Sequence, residues 1–159
     1  MKKVVKFGGS SLASARQFKK VGEIIRGDKT RRYVVPSAPG KRNSQDEKVT
    51  DLLYETYEAA AAGASYRKKF EKIRERYMEI IDGLGLNLNL DHEFANIEEN
   101  FVKKAGKEYA ASRGEYLNAM IMAKYLGYEF VDAAEVIFFH EDGSFDGEAT
   151  DKELSERLA

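Results

Sequence analysis

No cysteine occurs among the 159 residues, which excludes a disulfide framework and any thiolate metal site. No apolar run approaches the roughly 20 residues of a membrane span. The start, Met1-Lys2-Lys3 before Val4-Val5, is positively charged but lacks the apolar stretch of a signal peptide. Neither charge dominates: 26 basic and 27 acidic residues nearly cancel, so no field for non-specific nucleic-acid binding exists. There is no internal repeat and no low-complexity tract. A soluble cytoplasmic protein of one domain, able to bury a core without covalent staples, is the expectation.

Reactive side chains are scarce too. His92 and His140 lie far apart and neither has a partner at ligand spacing, so they read as surface or hairpin histidines and no metal site is expected. Serine, histidine and aspartate are all present, but no nucleophile elbow supports acyl transfer. Glu141, Asp142, Asp146 and Glu148 fit either a cation-attracting cluster or a solvated hairpin; their spacing is not that of an EF-hand.

The most informative stretch is Val4-Val5-Lys6-Phe7-Gly8-Gly9-Ser10-Ser11. It predicts a short buried strand running through two glycines and two hydroxyls into a helix, with Lys6 the last charge before the turn. Glycine lets backbone N–H groups approach an anion closely, and the helix start adds a positive pole. The same residues also fit an ordinary βα turn with Lys6 on an exposed edge.

Farther along, Ser14-Ala15-Arg16-Gln17 has the spacing of a capping box, and Phe18, Val21 and Ile25 line one helical face that ends at Gly27-Asp28. Tyr33-Val34-Val35 predicts a second buried strand, parallel to the first, and hence a right-handed crossover in an α/β sheet. Pro36 to Asn43 is a loop; Val35 and Arg42 stand where a Walker loop needs other residues, and Pro36 removes one ladder donor. The middle predicts three helices: Val49 to Ala60, Phe70 to Ile80 stopped by Gly83 and Gly85, and Phe94 to Ala105. Charge runs such as Arg67-Lys68-Lys69 and Arg74-Glu75-Arg76 read as solvated faces. Ser112-Arg113-Gly114-Glu115 precedes a helix that is apolar almost all round and capped by Gly127, so it is expected against the sheet. Tyr128 to Val131 and Val136 to Phe139 predict two more strands, Asp142-Gly143 a hairpin turn, and Thr150 onward an exposed helix.

Three stretches carry a family resemblance. Lys6-Phe7-Gly8-Gly9-Ser10-Ser11 resembles the K-F-G-G-[ST]-S signature that opens the aspartokinases, within the amino-acid kinase superfamily. Val34-Val35-Pro36-Ser37-Ala38-Pro39-Gly40, with Val49-Thr50-Asp51-Leu52-Leu53 after it, and Ser112-Arg113-Gly114-Glu115 match in the family's order. The family usually has an apolar residue where Pro36 stands. The resemblance covers nearly the whole chain and implies an α/β, three-layer, carbamate kinase-like fold. Only its N-terminal part is expected across residues 1–159, a mostly parallel sheet with a helical excursion from about Asp46 to Ala111.

By resemblance, the reaction is ATP-dependent phosphorylation of the aspartate side-chain carboxylate, the first step toward lysine, threonine and methionine. A carboxylate with a pKa of about 3.9 is already ionised at neutral pH, so no general base is required. The work is to hold two anions together and offset charge on the transferring phosphoryl group. The resemblance places Lys6 as the catalytic cation against the β- and γ-phosphates, with Gly8 and Gly9 offering amides and Ser10 a hydroxyl. It places Ser37, Ala38 and Thr50 around aspartate and Glu115 on the substrate ammonium; the S-x-x-E spacing of Ser112 and Glu115 also fits a capping box. ATP and Mg²⁺ are the implied cofactors. Nothing resembles the family's later glycine-rich segments, an arginine for the substrate α-carboxylate, or its ACT domains. The isolated chain is therefore expected to be inactive, and its unpaired sheet edge to favour a homo-oligomer. Two other readings stand beside this one: a related kinase for another small acid, and a non-catalytic anion-binding module.

Overall fold

Lys3–Phe7 forms the first strand, β1, and alternates half-buried and exposed side chains along its length. In this computed structural model, which describes residues 1–159, Val5 and Phe7 pack on the core while Val4 is 68% exposed. The strand is thus half-buried, not buried, because a period of two sends alternate residues to a face that nothing covers. A 3₁₀ turn, Gly9–Leu12, separates β1 from helix α1, Ala15–Arg26. Ser14 caps α1 by accepting from the Gln17 N–H at 3.3 Å, but Gln17 donates its side-chain amide to Ser10 O, so the capping box is only half made. Strand β2, Arg31–Pro36, pairs with β1 in parallel. The expected crossover is present.

Four helices follow: α2 Val49–Ala61, α3 Arg67–Gly83, α4 Asp91–Val102 and α5 Lys107–Leu126. Helix α4 stops before Ala105, where the chain turns through Gly106 at φ 114°. Helix α5 begins five residues before Ser112 and runs through it, so Ser112 is no N-cap; its hydroxyl donates to Tyr109 O at 2.7 Å inside the helix. The helical stretch consequently extends well beyond Ala111. Gly114 looks like a helix breaker but answers to packing: a Cβ there would lie 2.6 Å from Ala38 Cβ and 3.2 Å from a Leu53 methyl. Gly22 serves α1 in the same way, since its missing Cβ leaves room for the Tyr125 ring.

The core joins these layers through α1, α2, α3, α4 and α5. Its helical part is strongly aromatic. Phe101, fully buried, meets Tyr57, Phe70 and Tyr109 edge-on at centroid distances of 5.5, 6.5 and 6.2 Å, geometries that suit the ring quadrupoles.

Residues 1–128 form one compact unit and residues 129–159 a second. Within the second, the helical turn α6, Ala133–Val136, precedes a two-residue hairpin, β3 Phe138–Phe139 with β4 Phe145–Asp146, and helix α7, Gly147–Arg157. The hairpin turn is as expected, with Gly143 at φ 85°. Tyr128 to Val131, expected as a strand, has no regular structure, since no neighbouring strand supplies a ladder. Val136 ends α6, so the expected fourth strand shrinks to Phe138–Phe139.

Truncating the centre of the aromatic cluster should be costly. Phe101→Ala is expected to lose about 3–5 kcal/mol, measured as a fall in urea midpoint at unchanged slope. A loss below about 1 kcal/mol would show that the helices close over the gap.

Candidate functional site

The carboxyl ends of the two parallel strands meet first. Lys6 lies opposite Val35 and Phe7 opposite Pro36. Pro36 has no N–H to give, but Ser37 N–H donates to Phe7 O at 3.1 Å and extends the pairing by one residue. The segments Lys6–Ser10 and Ser37–Gly40 therefore leave the sheet side by side, at the strand ends where open α/β sheets bind ligands. Lys6 is exposed and forms no ion pair with any carboxylate of the chain.

Glycines then bring the two segments into backbone contact. Gly40 N–H donates to Gly9 O at 2.8 Å. A Cβ on Gly40 would sit 2.6 Å from Gly9 C and 2.7 Å from Ser10 N, and one on Gly9 would sit 3.0 Å from Ala38 O. Gly8 differs: a Cβ there would meet nothing within 4 Å, and its φ of −78° suits any residue. The sequence pattern treats the two glycines alike, yet Gly9 is spent on the contact with Gly40 and Gly8 faces open space. Ser10 is exposed beside them.

A second wall comes from the helices. Val49 N–H donates to Pro39 O at 3.1 Å, which seats the first turn of α2, with Thr50, against the loop. Gly114 lets α5 lie on buried Ala38, and Glu115 follows it, exposed. The buried Tyr77 hydroxyl donates to Gly114 O at 2.8 Å. Burial pushes that phenol well above its ordinary pKa, and the nearby Glu115 adds to the shift. Lys6, Gly8, Gly9, Ser10, Ser37, Ala38, Thr50 and Glu115 thus belong to segments in direct contact.

Two residues that hold the site escaped the sequence reading. Asn118, wholly buried, donates its side-chain amide to Ser37 O at 2.8 Å. Its position four residues after Gly114 is the available signal, since both then share one helical face. Arg76, expected on a solvated face, is only 4% exposed. It donates to Gly40 O, Glu47 O and Ala13 O. Three residues after Ile73 and four before Ile80, it stands on the buried stripe of α3.

The histidines and the acidic hairpin cluster lie on other segments of the chain. His92 and His140 are exposed, and no three His, Asp or Glu side chains converge as a metal site. Asp142 bonds Ser144 in the hairpin turn and Asp146 caps α7, which favours the solvated-hairpin reading of that cluster. A cleft of about 190 Å³ lies between α3 and α4, but it contains none of the residues above, and Arg74 on its wall pairs with Asp91 at 2.6 Å. The glycine turn joins the exposed Lys6 to the close backbone approach of Gly9 and Gly40.

Residues 1–157 match the amino acid kinase family. The chain belongs to that family. It is 40% identical over 142 residues to aspartokinase 3 of Bacillus subtilis (strain 168), covering 84% of this chain and 31% of the relative. Among solved structures, Clostridium acetobutylicum aspartate kinase superposes with a TM-score of 0.94 at 46% identity, over 99% of this chain and 37% of that one. Escherichia coli aspartokinase III in complex with aspartate and ADP has a TM-score of 0.77 at 22% identity, over 99% of this chain and 38% of that one, and this likeness concerns the fold. The chain thus spans about a third of the length of the curated relatives it matches. The fold is the N-terminal part of the amino acid kinase fold, as the motifs implied.

The glycines should separate by experiment. Gly8→Ala is expected to leave the melting temperature unchanged or slightly raised, since Ala suits that backbone and narrows the unfolded ensemble. Gly40→Ala should destabilise by about 1–3 kcal/mol, as overpacking does. Equal melting temperatures for the two variants would contradict the contact.

Acid should reach the same loop. The Arg42 guanidinium, foremost, holds Asp46 below the usual carboxylate pKa, with its backbone N–H and the charge of Arg76 adding. A depressed folded pKa gives stability that is present above about pH 4, the unfolded value, and lost as pH falls below it. Asp46→Asn should therefore lower the melting temperature at pH 7, with the gap to wild type closing below about pH 4. A constant gap across pH would remove Asp46 from the acid limb.

Proposed function

We propose that this segment supplies the amino-acid side of an aspartate kinase together with part of its phosphate site. The supporting observation is the Gly9–Gly40 backbone contact, which sets the Lys6–Ser10 turn beside the Ser37–Thr50 loop. A phosphoryl donor and an acceptor carboxylate need that adjacency, because positioning supplies much of the rate in phosphoryl transfer.

The residues fit the roles the resemblance implies. Lys6, unpaired at the strand end, meets the β- and γ-phosphates of ATP and offsets charge in the transition state. Gly8 opens onto space that an anion can fill, Gly9 orients the backbone there, and Ser10 adds a hydroxyl. Ser37, Ala38 and Thr50 line the aspartate pocket, and exposed Glu115 accepts from the substrate ammonium in a charge-assisted bond. Mg²⁺ would enter with ATP and would supply charge screening at the phosphate oxygens, beside the cation of Lys6. Aspartyl phosphate formed here feeds lysine, threonine and methionine synthesis in the cytoplasm. The exposed Val4 and Val35 on the two strands favour a homo-oligomer. No helix is long and apolar enough to cross a membrane.

Calorimetry and an ADP-release assay test this reading. The 159-residue chain should bind aspartate without turnover. Fused to the remainder of the Clostridium acetobutylicum enzyme it should turn over, and Lys6→Ala should then lower kcat by about 10²–10³ with little change in KM for aspartate. Binding of neither aspartate nor nucleotide, and no turnover in the fusion, would leave a non-catalytic module.

A further inference from the structure

Arg76 reaches inward between three segments that share no secondary structure. Its Nη2 donates to Gly40 O at 2.6 Å and to Ala13 O at 3.3 Å, and its Nη1 to Glu47 O at 2.9 Å. Ala13 closes the 3₁₀ turn that follows Gly8, Gly40 lies two residues after Ala38 in the loop that carries Ser37, and Glu47 lies two residues before α2, the helix that carries Thr50. One side chain therefore ties together the end of the turn after Gly8, the loop at Gly40 and the approach to α2.

The charge of Arg76 is answered locally. Asp46 lies 3.3 Å from Nη1 and is itself clamped by Arg42, through Nε at 2.7 Å, Nη2 at 3.0 Å and the backbone N–H at 2.9 Å. Arg42 also donates to Glu79 at 2.8 Å, one turn beyond Arg76 on α3. The loop is thus tied to that helix at two successive turns. A buried guanidinium is a poor way to gain stability alone, because its desolvation costs several kcal/mol and an apolar side chain can often replace it without loss. What an apolar residue cannot do is bind three carbonyls of separate segments in one plane; the rigid five-donor fork of arginine can, and the point charge of lysine can do so only in part.

We infer that Arg76 is a positioning residue, which holds the phosphate turn, the Ser37–Gly40 loop and the start of α2 in one geometry and so sets the distance between the two reacting anions. The last clause rests on the kinase reading above; the ordering of the three segments does not. Arg76 touches neither substrate. It acts through the carbonyls it binds.

Two measurements separate these levels. Amide exchange in the 159-residue chain reads Gly40 N–H, bonded to Gly9 O, and Val49 N–H, bonded to Pro39 O. In Arg76→Met their protection should fall at least about tenfold more than that of α4 amides, since three carbonyl bonds are lost and their acceptors left unmet. Arg76→Lys should recover part of it. Ile97→Ala, a core truncation in α4, should lower protection without singling out those two amides. In the fusion kinase, Arg76→Met should raise KM for aspartate about tenfold or more, Arg76→Lys less, and Ile97→Ala not at all. Uniform or unchanged protection in Arg76→Met overturns the inference, and so does an unaltered KM in the folded variant. Should Arg76→Met fail to fold, Arg76→Lys carries both measurements, with selective loss expected at Gly40 and Val49. Should the wild-type fusion show no turnover, the kinase reading fails, while exchange still decides what Arg76 orders.

Discussion

Gly9 and Gly40 touch backbone to backbone, and the rest of the site takes its spacing from that contact. No side chain fits between them, since a Cβ on Gly40 would fall inside 3 Å of three backbone atoms. The consequence is short-range but decisive. Two loops that leave a parallel pair of strands would otherwise diverge, each following its own helix. The Gly40–Gly9 hydrogen bond and the absence of two methyl groups keep them side by side instead.

Such a contact is weak unless its flanks are fixed. Arg76 supplies that from the α3 side and Asn118 from α5, both wholly or nearly buried and both spent on backbone carbonyls. The helical excursion is therefore more than a covering layer. Its aromatic cluster around Phe101 makes α2, α4 and α5 rigid, and α3 carries Tyr77 and Arg76 into the site on successive positions.

Where the sequence pattern misleads, the physical reasons are particular. Arg74-Glu75-Arg76 looks like a solvated charge run, yet Arg76 occupies the apolar stripe between Ile73 and Ile80, where burial of the helix face takes it inside. Gly114 resembles a helix start with a serine cap before it, but the helix passes through, and the glycine is there because Ala38 comes from across the fold. Tyr128 to Val131 has the composition of a strand and forms none, because a strand exists only with a partner and composition cannot supply one.

Local physics, by contrast, is legible in the chain. Short apolar runs located β1 and β2, and helical spacing of apolar residues located α1 and the first three of the four long helices, since such patterns are a property of neighbouring residues. The motifs around Lys6, Ser37 and Glu115 pointed to the family that the whole chain matches. Only the tertiary structure separated Gly8 from Gly9 and brought Arg76 and Asn118 to the loops. Those assignments depend on what lies opposite a residue, 29 to 81 positions away along the chain, and close contact between distant segments leaves no periodic trace in either of them.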